Sequence, residues 1–157
     1  MSVWRDDITI SCRKQDIINY FKSLLSINIK ETDIVNITDR VRTQYKFSNI
    51  DTRNDYEVWL IKGDYDLDFQ GLCIKYPDMI NHIILFDKFC GIEELTLYHE
   101  FIHLRQVYVH PNDINTNIKI RRELEAYLKT LFYAFKKFHI SYIKYAYKGL
   151  SDYITTI

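Results

Sequence analysis

The chain has 157 residues, 47% of them hydrophobic and 27% charged, with four glycines and two prolines. This excludes a disordered tail, a collagen-like fibre and a disulfide-rich miniprotein, and the length predicts one domain over residues 1–157. The 21 Lys and Arg balance 21 Asp and Glu, so no net field draws the chain to nucleic acid or to an anionic membrane, and neither is an expected partner.

Residues 15–25 place Ile17, Ile18, Phe21, Leu24 and Leu25 at helical spacing, which predicts an amphipathic helix. Residues 57–87 then turn to strand patterns: Tyr56, Val58 and Leu60; Leu72, Ile74 and Tyr76; and the continuous run Ile83-Ile84-Leu85-Phe86. The segment Gly63-Asp64-Tyr65-Asp66-Leu67-Asp68 reads as a hairpin connection between the first two strands. Its alternating aspartates resemble a calcium loop in spacing only, since Phe69 and Lys75 stand where such a loop needs Gly and Glu. Residues 92–108 are apolar on nearly every face, which predicts a buried helix. Pro111 and the polar residues after it break that helix, a second long helix is predicted over 118–138, and a short one from Ile140. The order of elements is that of an α+β fold. Cys12, Cys73 and Cys90 cannot all pair within one monomer and are expected as buried thiols. With no secretory pattern among the first residues and no run of roughly 20 apolar residues, a cytoplasmic location is expected.

The chemistry concentrates in His99-Glu100-Phe101-Ile102-His103. Residues four apart share a helix face, so His99 and His103 can direct imidazoles at one metal ion. Glu100 can reach the open side of that ion, where its carboxylate would take the proton of an attacking water and pass it to a leaving amine. Two histidines and a glutamate are costly on a buried apolar helix unless something compensates them, and zinc ligation does so. Three alternatives stand beside the enzyme: a chance pair of core histidines, a binding or regulatory module whose metal is structural, and a helical interaction protein without metal.

A third protein ligand must come from elsewhere. His110 follows the motif closely but precedes a proline and lies out of register with the six-residue spacing some zinc peptidases use. Glu123 and Glu125 on the second long helix lie about 160° apart around it, so only one can face the metal. Glu125 shares a stripe with Lys129 and Lys136, an exposed arrangement. Glu123 shares one with Ala126, Thr130 and Ala134, small residues that let another helix approach. Glu123 is therefore the expected ligand and Glu125 the alternative. Arg105 and Gln106 follow the motif and stand either as supporting groups behind the ligands or as solvated residues of the helix end.

His99-Glu100-x-x-His103 followed by Glu123-x-x-Ala126 resembles the gluzincin group of zinc metallopeptidases, and the compact size resembles the minigluzincins. The likeness covers roughly residues 80–135. It implies a zincin-like fold with a backing helix at 15–25, a small sheet, an active-site helix and a glutamate helix. It implies a peptide or protein substrate, laid as an extended strand along the sheet edge formed by residues 82–87. Where many relatives carry an Asp that holds the first histidine through its other nitrogen, this chain has Tyr127.

Overall fold

The computed structural model describes residues 3–45, 56–67, 69–74, 80–87, 93–106 and 116–157, with side chains from Arg13 onward. Helix α1 (Val3–Leu25) is followed by a 3-10 turn, strand β1 (Ile34–Asn36), helix α2 (Thr38–Gln44), strands β2 (Tyr56–Ile61), β3 (Gly71–Ile74) and β4 (Asn81–Phe86), and helices α3 (Glu93–Arg105), α4 (Thr116–Lys136) and α5 (Ile140–Thr156). The architecture is α+β. Tyr76, Asp68, His110, Pro111 and Cys90, and the side chain of Cys12, fall outside the described residues; Cys73 is half-buried.

The four strands form one sheet in the order β1-β2-β4-β3. Strand β2 runs parallel to β4, with Tyr56 opposite Asn81 and Ile61 opposite Phe86; β1 and β3 are antiparallel at the two edges. Two expectations are corrected here. Residues 63–68 do not close a hairpin, because β4 lies between β2 and β3. Instead, Tyr65 turns this loop back on the start of the sheet, its hydroxyl donating to Asp33 and accepting from the Lys30 amide. Nor is the strand at 82–87 an edge. All six residues of β4 are buried, as befits a strand paired on both sides, and the edge next to it is the half-buried β3.

The two-residue period of the strands divides the core. Tyr56, Val58, Ile83 and Leu85 pack with Leu97, Phe101 and Leu104 of α3, while Trp59, Ile61, Ile84 and Phe86 pack with Ile17 and Phe21 of α1. Helix α1 starts well before the apolar stripe that predicted it, and α5 is longer than a short terminal turn. The predicted small-residue stripe of α4 is buried, with Ala126 and Ala134 fully so. Through it α4 packs on α3, assisted by Tyr98 stacked on Tyr133 at 4.1 Å and by the Tyr133 hydroxyl donating to Glu94.

Candidate metal centre

Helix α3 presents His99 and His103 on one face, as their i,i+4 spacing requires, and the close approach of α4 brings Glu123 to both. The two Nε2 atoms lie 3.1 Å apart. Glu123 Oε1 is 2.9 Å from His103 Nε2, and its Oε2 is 3.3 Å from His99 Nε2. Ligands about 2.0–2.1 Å from a tetrahedral ion are about 3.3 Å from one another, so this triangle has nearly the dimensions zinc needs. The donor set, two neutral imidazoles and one carboxylate, is also one that zinc accepts. Among the described residues this is the one group of three or more His, Cys, Asp or Glu side chains close enough to hold an ion.

Without a cation the carboxylate supplies the compensation. Burial alone would lower the pKa of His103, but its hydrogen bond to Glu123, with the charge of Glu100 nearby, pushes it up to about 9. Burial alone would raise Glu123, but its hydrogen bonds to His103 and His99 hold it well below the usual carboxylate range. A cation would replace the shared protons.

Glu100, one residue along from His99, lies against the sheet at strand β3. Its side chain is 6% exposed, and burial raises its pKa, a rise eased by His99 and His103 and added to by Glu123. Strand β3 approaches it at Gly71. A Cβ there would lie 3.0 Å from Thr96 Cγ2 and 3.3 Å from both Cγ and Oε1 of Glu100, so the absence of a side chain lets the edge strand lie against the helix. The sequence reading missed Gly71; its only signal was a glycine opening a strand in a chain with four glycines.

Gln106, one of two residues left open in sequence, has a defined place. Its Nε2 donates to the Arg122 carbonyl at 3.0 Å and to Glu125 Oε1 at 3.2 Å. Its Oε1 is therefore the acceptor for His103 Nδ1, 2.9 Å away. With the proton of the ring committed to Nδ1, Nε2 is the nitrogen aimed at the site. Arg105 is exposed at the helix end. Glu125 lies outside the triangle, exposed, with Lys129 at 3.8 Å.

Tyr127 meets His99 ring against ring, with centroids 4.4 Å apart. Burial, with Glu123 and Glu100 nearby, pushes its hydroxyl up to about 12. Tyr153 of α5 stacks on its other side at 5.2 Å, and a Cβ at Gly149 would come within 3.3 Å of its ring. Helix α5 thus backs the centre through Tyr127. His82 and His139 lie elsewhere: His82 is buried beside Trp59 on the α1 side of the sheet, and His139 is exposed, bonded to Ser141. Comparisons of the chain with protein-family models, with curated proteins and with solved structures found no match.

Proposed function

We propose that this chain is a zinc-dependent metallopeptidase of zincin-like type, acting on a peptide or protein substrate in the cytoplasm. The observation that carries the reading is the convergence of His99, His103 and Glu123 within 2.9–3.3 Å of one another, with Glu100 buried one residue along between helix and edge strand. Zinc bound by these three residues would polarise a carbonyl and lower the pKa of a water toward neutrality. Glu100 would accept the proton of the attacking water on its carboxylate and return it to the departing amine; burial raises the pKa of that carboxyl. Gln106 holds His103 in the tautomer that ligation needs. The substrate would lie along β3, the edge strand that borders Glu100, its main chain extending the sheet.

Elemental analysis of the purified chain is expected to give about one zinc per monomer, with a lower melting temperature after chelation. Glu100→Gln is expected to keep the zinc and to lose about 10²–10⁴-fold in peptide cleavage. A chain that melts identically with and without zinc would remove the metal reading. Full zinc with no cleavage by wild type across a broad peptide library would favour the second reading, a zincin-like binding or regulatory module with a structural metal. The ring-to-ring contact of Tyr127 with His99, in place of a carboxylate partner, is the feature that favours it.

A further inference from the structure

The α4–α5 hairpin has an inner and an outer face. The inner face buries Ala126, Thr130, Ala134 and Ala146. On the outer face Leu128, Phe132 and Phe135 follow one another at helical spacing on α4 and are 42%, 62% and 51% exposed. Ile140 and Tyr147, seven residues apart on α5, are 71% and 64% exposed. Phe138, in the turn between the helices, is 91% exposed and has a left-handed backbone, φ 53°. A bulky aromatic is a costly choice there, where Gly or Asn would serve the turn better. Scattered apolar residues on a surface need no explanation, but a run of this kind along a helix, its turn and the next helix marks a contact surface.

Charge indicates what the surface contacts. Residues 116–157 contain eight Lys and Arg against three Asp and Glu, a net charge of +5, and the rest of the chain carries the balancing −5. Of the three acids, Glu123 is committed to the histidines, Glu125 lies by Lys129, and Asp152 pairs with Lys148 at 2.8 Å. Exposed Lys129 and Lys136 lie about a quarter turn from the apolar line of α4, and exposed Lys144 and Lys148 about a quarter turn or less from that of α5. The balanced total thus conceals a segregated charge. A second copy joined through the same face would set Lys129, Lys136, Lys144 and Lys148 against their own copies. Nucleic acid would answer the lysines and stack on phenylalanines, but it offers no apolar medium for Leu128 and Ile140. An anionic lipid surface answers both features: apolar side chains enter the headgroup boundary while flanking lysines extend to lipid phosphates.

We propose that the α4–α5 hairpin docks on an anionic membrane surface, lying in its plane. No helix among the described residues is long and apolar enough to cross one. This inference is independent of the metal reading, although α4 carries Glu123 on its other side, so docking would hold the His-His-Glu group about one helix diameter from the lipid.

The test is co-sedimentation of the whole chain with extruded vesicles of phosphatidylcholine alone or with about 30% phosphatidylserine, the anionic fraction setting the surface potential. Wild type is expected to sediment with the anionic vesicles, weakly with neutral ones, and less as salt rises. Phe132→Ser/Phe135→Ser/Phe138→Ser is expected to abolish sedimentation. Lys129→Gln/Lys136→Gln/Lys144→Gln/Lys148→Gln is expected to weaken it more than about 100-fold, at about tenfold or less per lysine. Circular dichroism checks that each variant is folded, and Ile140→Ser/Tyr147→Ser on α5 replaces the phenylalanine variant if that fails. The proposal would be overturned by no binding to anionic vesicles, by equal binding of wild type and the folded variants, or by a wild-type dimer in sedimentation equilibrium that the phenylalanine variant dissolves while vesicles are ignored. Binding of a single-stranded oligonucleotide in place of vesicles would overturn it in favour of nucleic acid.

Discussion

The two faces of the sheet each bury a glutamate, and they treat it in opposite ways. On the α1 face Glu57, 7% exposed, is answered on both oxygens: Arg13 donates to one and Asn36 to the other at 3.0 Å. On the α3 face Glu100 is equally buried, and among the described residues no donor hydrogen-bonds its carboxyl. A buried carboxylate whose oxygens are both occupied is held by the fold; one without such donors beside two histidines is the kind of group the proposed function calls for. Burial alone does not distinguish the two; their partners do.

The comparison can be broken first at His82, on the same face as Glu57. Burial, with the charge of Arg13 nearby, lowers its pKa from 6.5 to about 4. The folded protein therefore refuses a proton that the unfolded chain accepts. The stability this represents is fully present above about pH 6.5 and is lost as pH falls toward 4, about 2–3 kcal/mol by pH 4.5. Urea unfolding of wild type and His82→Phe at pH 7, 5.5 and 4.5 is expected to show a difference that grows by that amount; a constant difference would mean His82 is not held neutral.

The paired glutamates offer a sharper test. Glu57→Gln leaves Arg13 facing a neutral group and is expected to cost about 1–3 kcal/mol, lowering the melting temperature by several degrees. Glu100→Gln is expected to melt at or above the wild-type temperature, since no donor among the described residues hydrogen-bonds the carboxyl it removes. If both melt lower by the same amount, the distinction between the faces fails.

Smaller effects lie at the margin of the candidate metal centre. Gln106→Ala removes the acceptor that holds His103 and is expected to weaken zinc binding about 10–100-fold in a chelator competition, with the fold retained. Glu125→Ala is expected to change stability by no more than about 0.2–0.5 kcal/mol and to leave zinc in place. Loss of zinc in Glu125→Ala together with retention in Glu123→Ala would reverse the proposed ligand assignment.

Much of the helical part was legible in sequence because helices write their burial into a local period. The stripe Ala126, Thr130 and Ala134 announced the close face of α4, and the all-round apolar character of residues 92–108 announced a buried α3. The sheet was legible strand by strand but not as a sheet, because alternation shows which residues face a core and not which strand lies alongside. The apolar run of β4 marked a central strand; the resemblance to peptidases directed that run to the edge instead. Strand β1 and helix α2, three and seven residues long, fall below the window in which a period can be recognised. At the centre, the i,i+4 histidines were visible from spacing alone. The contributions of Gly71 and Gln106 were not, since each depends on an element distant in sequence.

Asn36 links the two faces. Its Nδ2 holds Glu57, while its Oδ1 accepts from the amide and hydroxyl of Thr38, where α2 begins. Two residues further along α2, Arg40 grips Glu93 with both guanidinium nitrogens, at 2.8 and 3.1 Å, and Tyr45 donates to the same carboxylate at 2.6 Å. Glu93 opens α3, less than two turns before His99. Arg13 on one side of the sheet is thus moored to the start of the histidine helix on the other by a cable of polar contacts around the β1 edge. Helix α3 hangs from that mooring at its first residue and from Gln106 just past its last, so its axial position is fixed at both ends, and the second tie also steadies the His103 ring.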